Sequence, residues 1–272
     1  MNSNVAAIVV SHNSSHCLDS CLSGLASQEH GCDEIVVVDS GSTDRHYLSS
    51  LKQNYSFQLL LADNIGFSQA NNLGFDTLPT TTDFVLFVNP DVFLPPDFIS
   101  KALQTCDSDA EIGVVSGKLL GYNLEQDTPS GRIDSTGVRR KWYGRWYDRG
   151  QGETDIRQYE RPEDMPALCG ALLFCRQSAL QSLQAQVFDP DFFLYKEDIE
   201  LSLRLRKGGW KLRYNPDLSA YHCRGWQSER REMAYPLRKM AAQSEILLYK
   251  KHPSPYMLWA VGKFLLVTVF RL

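Results

Sequence analysis

The sequence predicts an α/β fold on a largely parallel sheet, and three observations carry that expectation. Four short apolar runs alternate with stretches of helical periodicity over the first hundred residues, the pattern of βαβ units. The runs are AAIVV (6–10), EIVVV (34–38), FQLLL (57–61) and FVLFV (84–88). They hardly alternate with polar residues, as expected of strands covered on both faces. Each also runs into a polar cluster: Ser11-His12-Asn13, Asp39-Ser40-Gly41-Ser42-Thr43-Asp44, Asp63-Asn64-Ile65-Gly66 and Asn89-Pro90-Asp91. In open parallel sheets, the carboxyl ends of the strands share one edge, where ligands bind.

The connecting segments justify themselves in turn. Residues 14–28 place Cys17, Leu18, Cys21, Leu22, Leu25 and Ala26 on one helical face. A second helix is expected from Asp44, which suits a cap. A third is expected over 67–76, and a fourth begins near Asp97, after Pro95-Pro96. From about residue 112 the pattern mixes. IGVVSGKLL and ALCGALLFC read as strands, 197–207 as a helix, and 211–214 and 219–222 as short strands. The 272 residues suit one large domain or a domain with a small extension.

Composition narrows the classes. Hydrophobic content of 43% and charged content of 22% are those of a folded globular protein. The amino terminus, MNSNVAAIVVSHN, lacks a basic start and a long apolar run, so no signal peptide is expected. The 7 cysteines are an odd number at low density, which suits a reduced cytosolic chain. Charge is uneven: residues 1–200 hold 14 Lys/Arg against 28 Asp/Glu, and residues 201–272 hold 14 against 4. The basic final quarter suits an anionic partner, or pairing with the acidic body. An acidic body without a recognition motif argues against nucleic acid.

Several chemistries drop out. The turn after the first strand, SHNSSH, has no glycine, so a dinucleotide fingerprint is missing, as is a Walker phosphate loop. His12, His16, Cys17, Cys21, His30 and Cys32 crowd one region, but no C-x-x-C pair exists there, and Cys17 and Cys21 lie on the apolar stripe. They read as core cysteines. Asn89-Pro90-Asp91 has an ordinary turn reading, and Glu197, Asp198 and Glu200 suit a helix start electrostatically. A full row of acceptors on one edge fits a ligand with hydroxyls and amide-like edges, such as a nucleoside.

Six stretches in order resemble a known family: IVVSHN, VVVDSGSTD, DNIGFSQANNLGF, FVNPDVFL, CGALLFCR and FFLYKEDIELSLRLRKGGWKLRYNPDLSAYHCRGWQS. The chain resembles the inverting family-two glycosyltransferases with the GT-A fold, and within them the bacterial rhamnosyltransferases. The resemblance implies a Rossmann-like nucleotide-binding half (1–117), a mixed-sheet acceptor half (118–228) and a helical carboxyl-terminal extension (229–272). It also implies transfer of a sugar, L-rhamnose from dTDP-L-rhamnose, to a polysaccharide or polyprenyl-diphosphate-linked acceptor, as in lipopolysaccharide or O-antigen synthesis. The alternatives are a UDP- or GDP-hexose donor, or a sugar-nucleotide-binding module without catalysis.

The implied roles fall on particular residues. Ser11, Asn13, Asp39, Asn64, Gly66 and Asn71 match the nucleotide-sugar edge. Asn89 and Asp91 match the family's Asp-x-Asp motif, which binds a divalent cation, Mg²⁺ or Mn²⁺. Asn89 departs from that motif and removes one charge, leaving Asp91 as the carboxylate ligand. His222 matches a position near the diphosphate that ligates metal or contacts phosphate; structural duty is its other reading. Gly170 and Ala171 match small residues beside the donor sugar. Asp198 matches the general base, and Glu197 positions the acceptor or Asp198.

Two segments stand outside those motifs. RRKWYGRWYDRGQGETD (139–155) is aromatic and basic, which suits a mobile acceptor loop or aromatics buried on the body. Residues 256–272, YMLWAVGKFLLVTVFRL, are apolar but shorter than the about 20 residues of a spanning helix. With Arg230, Arg231, Arg238, Lys239, Lys250 and Lys251 upstream, they suit a helix lying on an anionic cytoplasmic leaflet, with Lys263 and Arg271 on one face. A terminal helix packed on the domain or on a second subunit is the other reading.

Overall fold

The computed structural model describes residues 3–223 and 233–271. The expected boundary at 228/229 and the basic residues Arg230 and Arg231 lie outside the described residues. The alternation yields β1 (Val5–Ser11), α1 (Leu18–Ala26), β2 (Glu34–Ser40), α2 (His46–Asn54), β3 (Gln58–Ala62), α3 (Gly66–Phe75) and β4 (Phe84–Val88). There follow β5 (Val92–Phe93), α4 (Phe98–Asp107), β6 (Ile112–Asn123), β7 (Thr128–Ser135), β8 (Val138–Arg140), β9 (Trp146–Asp148) and β10 (Glu163–Asp164). Then come β11 (Leu172–Arg176), α5 (Gln177–Gln181), α6 (Glu197–Lys207), β12 (Lys211–His222), α7 (Tyr235–Lys251) and α8 (Met257–Val269).

One sheet runs through the protein, in the order β10-β12-β6-β11-β4-β1-β2-β3, with β5 on β12 and β7 on β6. β1 pairs in parallel with both β2 and β4, and β2 with β3. The crossovers β1→β2→β3 run one way, and β4 then lies on the other side of β1. That reversal is a topological switch point, and it opens a crevice at the carboxyl ends of β1 and β4. β11 enters antiparallel between β4 and β6. The expected division at 117/118 falls inside β6, so both halves share the sheet.

Alternation along β1 shows why its run is uniformly apolar. Val5, Ala7 and Val9 join the core under α1 and α4, with Leu18, Leu22, Phe98 and Ile99. Ile8 joins the opposite core, with Val36, Val38, Phe87, Phe188 and Leu201. Both faces are covered, so neither tolerates a polar residue.

Two strand expectations change in detail. The ALCGALLFC strand starts only at Leu172, because Leu172 N–H bonds back to the Cys169 carbonyl and Ala171 offers its carbonyl to Asn89. The two short strands at 211–214 and 219–222 are one strand, β12, whose register on β6 shifts between Tyr214 and Ser219. Pro216 lies in that interval and has no N–H for a ladder.

The segment 139–155 is corrected: it is not an open loop but contains the β8–β9 hairpin docked on the carboxyl-terminal helices. Trp146 is buried, Tyr143 packs on Trp259 with ring centroids 4.8 Å apart, and the Arg140 guanidinium lies 4.2 Å from the Tyr256 ring centroid. Large aromatic surface gains more against α8 than in water. Only Trp142 of this group points out, 86% exposed.

The terminal segment does form a helix, α8, which packs on α7. The expected face for Lys263 is corrected. Its ammonium turns inward to the Glu245 carboxylate rather than sharing an outer face with Arg271. A carboxylate buried on α7 without a counter-charge would be costly, and the Lys263 ammonium supplies it. Among the described residues, no helix is long and apolar enough to cross a membrane.

Candidate active site

The first part of the site is the strand edge. Ser11 ends β1, and its hydroxyl shares a 2.8 Å hydrogen bond with the Tyr47 hydroxyl. Asn13 follows at φ 54, and stitches two loops together. Its N–H donates to the Ser42 hydroxyl at 2.8 Å, and its side-chain oxygen accepts from Thr43 N–H at 2.8 Å. Asp39 is fully buried at the end of β2. It accepts from Arg45 Nε at 2.7 Å, Ser42 N–H at 3.1 Å and the Ser42 hydroxyl. Its charge is therefore matched on the spot, and Arg45 reaches on to the Ala62 carbonyl.

At the end of β3, Asn64 is exposed. Gly66 has φ +79, and a Cβ there would stand 2.5 Å from the Phe193 carbonyl oxygen. Only glycine allows this approach, which Phe67 N–H secures by donating to Phe193 at 2.8 Å. Asn71 does not lie on the exposed surface. It is buried in α3, and its amide donates to the Phe67 carbonyl.

The second part forms where β4 ends. Asn89-Pro90-Asp91 is a turn closed by Val92 N–H on the Asn89 carbonyl at 3.1 Å. The pairing of Leu172 with Val88 carries Gly170-Ala171 to this turn, where Asn89 N–H donates to the Ala171 carbonyl at 2.9 Å. The pairing of His222 with Val92 brings the imidazole to Asp91, with Nε2 3.4 Å from Oδ1. His222 Nδ1 lies 2.7 Å from the carboxylate of Asp134, a fully buried residue on β7. Burial alone would lower the imidazole pKa. The hydrogen bonds from Asp134 and Asp91 outweigh it and push it up to about 9.

The third part is the start of α6. Tyr195 and Lys196 both have left-handed backbones, φ 71 and 72, which cost non-glycine residues about 1 kcal/mol or more each. The turn they make lays Asp198 on the entry to β11. Its Oδ2 accepts from Gly170 N–H at 3.0 Å, and a Cβ on Gly170 would lie 2.9 Å from the Asp198 Cβ. Burial raises the Asp198 carboxyl. Lys196 and the Gly170 N–H pull it back, and Asp148, at the end of β9, pushes it up again. Burial and the neighbouring Asp198 push Glu197 up to about 8. Its Oε2 is buried without a hydrogen-bond partner. Glu200 leaves the site to bond Arg204 and His252.

Residue-type reasoning missed Asp134, Asp148 and Lys196. The only signal for Asp148 was its place in the aromatic stretch GRWYD. Asp134 had none, because its partner lies 88 residues away.

The family model described as Glycosyltransferase like family 2 matches residues 3–244. The chain belongs to that family. This glycosyltransferase is 28% identical over 234 residues to an N-acetylglucosaminyl-diphospho-decaprenol L-rhamnosyltransferase of Mycobacterium tuberculosis, covering 80% of this chain and 75% of the relative. It is 29% identical over 215 residues to an N-acetylglucosaminyltransferase of Bradyrhizobium diazoefficiens, covering 75% of this chain but 41% of the relative. Among solved structures, it resembles GalNAc-T7 with UDP, GalNAc and Mn²⁺ (TM-score 0.64, 16% identity, 98% of this chain and 57% of that one). It also resembles the mannosyltransferase PcManGT of Pyrobaculum calidifontis with GDP-Man and Mn²⁺ (TM-score 0.63, 17% identity, 98% and 71%). The glycosyltransferase has the GT-A fold.

Proposed function

We propose that this glycosyltransferase moves L-rhamnose from dTDP-L-rhamnose, with inversion, to a hydroxyl of a lipid-linked or cell-surface glycan. The observation that carries the mechanism is the Asp198 carboxylate resting on Gly170, beside the end of the switch-point strand. Inverting transfer is a single displacement at the anomeric carbon. The acceptor hydroxyl must lose its proton as it attacks, so a carboxylate must stand on the acceptor side within hydrogen-bond reach. Asp198 takes that proton. The two N–H groups on Asp198, from Gly170 and Ile199, fix its rotamer. Glu197 keeps its own proton at neutral pH and orients the acceptor without competing for charge.

The edge formed by Ser11, Asn13, Asn64 and Gly66 receives the nucleoside. Asp39 shapes it through Ser42 and Arg45. Asn89, Asp91 and His222 receive the diphosphate. Asp91 Oδ1 and His222 Nε2, 3.4 Å apart, would be two ligands of one ion once the cation displaces the proton that His222 holds in its absence. Asp134 orients the imidazole from behind. Such a carboxylate–imidazole set suits Mn²⁺ better than Mg²⁺, which takes oxygen ligands. Among the described residues no three metal-ligating side chains converge, which leaves the other positions to diphosphate oxygens and water. A cation bound there would offset the charge of the departing diphosphate.

The acceptor class follows from the carboxyl-terminal helices together with the named mycobacterial relative. Leu258, Val261, Leu265 and Val269 are exposed at helical spacing, with Leu266 and Phe270 beside them. Such a face, on a helix packed against α7 with its Lys239 and Lys250, suits an anionic cytoplasmic leaflet, where each cation adds about 1 kcal/mol. It would hold the enzyme beside an acceptor on a polyprenyl diphosphate.

The similarity to an N-acetylglucosaminyltransferase favours a second reading, a UDP-hexose or UDP-N-acetylhexosamine donor on the same site. A donor panel decides between them. Binding and slow hydrolysis are measured with dTDP-rhamnose, UDP-glucose, UDP-N-acetylglucosamine and GDP-mannose. Tighter binding of a UDP- or GDP-sugar overturns the rhamnosyl assignment.

A further inference from the structure

The β8–β9 hairpin has its base beside Gly170 and its tip in solvent. At the base, Val138 pairs with Asp148, and Val138 N–H donates at 2.8 Å to the carbonyl of Ala167, close before Gly170 in the chain. At the tip, Gly144 N–H closes a turn on the Lys141 carbonyl at 2.9 Å, and Lys141 N–H donates to the Arg145 carbonyl at 2.8 Å. Trp142 lies in that turn with its indole in water, the most exposed large apolar side chain among the described residues. The span from Val138 to Trp142 is no more than about 13 Å of extended chain. A turn of this kind calls for small or polar residues, not for an indole.

The tip is fixed on the carboxyl-terminal helices. Tyr143 stands edge-on to Trp142, with ring centroids 5.5 Å apart, and to Trp259 of α8 at 4.8 Å. The Tyr249 hydroxyl of α7 donates to the Gly144 carbonyl. A Cβ on Gly144 would stand 2.6 Å from the Cβ of Tyr256, the residue before α8. The tip therefore lies at the end of α8 where the exposed row Leu258, Val261, Leu265 and Val269 begins. Its charge has one sign: residues 139–147, RRKWYGRWY, hold 4 Lys/Arg and no Asp/Glu. Arg140 and Lys141, directly before Trp142, are exposed, and each rests on an aromatic ring.

We propose that the hairpin tip is a docking wedge for an anionic lipid bilayer: Trp142 enters the headgroup region beside the apolar face of α8, and Arg140 and Lys141 meet the lipid phosphates. An indole is apolar over most of its surface and polar at one N–H, so it sits best where hydrocarbon meets water. Cations beside it suit an anionic surface. A second copy of the chain is a poorer occupant. A two-fold interface lays one patch on itself, and this segment has no acid to answer its own cations. Docked in this way, the short hairpin sets the height of the Gly170–Asp198 corner above the lipid. The proposal rests on the reading that the enzyme works at an anionic leaflet.

The test uses the full chain and co-sedimentation with vesicles of phosphatidylglycerol in phosphatidylcholine, beside vesicles of phosphatidylcholine alone. Trp142→Ala is expected to lower partitioning onto the anionic vesicles roughly tenfold, the scale of one large apolar side chain. Lys141→Gln is expected to lower it roughly fivefold there and to change nothing on the neutral vesicles. Leu265→Ser reports on α8 independently. With brominated acyl chains, tryptophan fluorescence is expected to be quenched in the unaltered protein and far less in Trp142→Phe. Undiminished partitioning and quenching without Trp142, while Leu265→Ser releases the protein, overturn the wedge and leave the leaflet reading standing. An unaltered protein that binds neither vesicle overturns both. A dimer in light scattering that Trp142→Ala dissolves assigns the tip to a second copy and overturns the wedge.

Discussion

The proposed nucleotide edge and the proposed catalytic corner satisfy their polar groups differently. At the edge, Asp39 is satisfied within six residues, by Ser42 and Arg45, while Asn13 and Ser11 find partners one βα unit further on, 30 and 36 residues away. At the corner, Gly170 to Asp198 spans a comparable 28 residues, but Glu200 to His252 spans 52 and Asp134 to His222 spans 88. The edge matches its charge locally and presents a fixed shape. At the corner, burial raises both carboxyls, Glu197 being enclosed and Asp198 half-buried. Binding needs shape, and proton transfer needs a shifted carboxyl, so the molecule separates the two tasks.

The sharpest test of that division is Asp198→Asn. It is expected to lower kcat by roughly a hundredfold or more while leaving donor affinity intact, since the edge does not depend on it. Comparable transfer, or equal loss of binding, would erase the distinction. Single-turnover kinetics beside calorimetric donor titration reads both.

Next in size is the point where the two regions meet. Asp134→Asn keeps the hydrogen-bond geometry but removes the charge behind His222. A tenfold to hundredfold loss of Mn²⁺ affinity is expected, the usual scale for a residue orienting a ligand. Calorimetry with dTDP present measures it. Unchanged affinity would assign His222 to structure alone.

The smallest effect is on stability. The ordinary Glu value is near 4.5, and Glu197 folds with its pKa at about 8. Below 4.5, both states hold the proton and nothing is lost. Between there and about 8 the unfolded chain ionises first, so this group erodes stability as pH rises. Glu197→Gln is therefore expected to raise Tm more at pH 8 than at pH 5. A gain on the order of 1 kcal/mol corresponds to about 2–4 °C for a chain of this size. An equal gain at both pH values would mean that Glu197 is not held protonated.

Much of the molecule was legible in advance because its determinants are local. Apolar runs of five residues gave the four parallel strands, and the acidic start and basic end of EDIELSLRLRK marked α6 at its observed limits, Glu197–Lys207. The strand-end clusters located the edge for the same reason. Asn71 is buried in α3 with its amide on the Phe67 carbonyl, a direction that its motif position does not encode. The hairpin at 138–148 was hidden because its aromatics find their partners on α8, more than a hundred residues later.

The sequence by itself determined the parallel half-sheet, the shared polar edge and the helix α6, since hydrophobic period, turn chemistry and helix charge are written within a few neighbouring residues. Only the tertiary structure decided that Lys263 faces inward, that Asp134 backs His222 and that Asp148 bears on Asp198. Those are electrostatic contacts between groups brought together by strand pairing and helix docking. Their strength depends on burial, which no local pattern encodes.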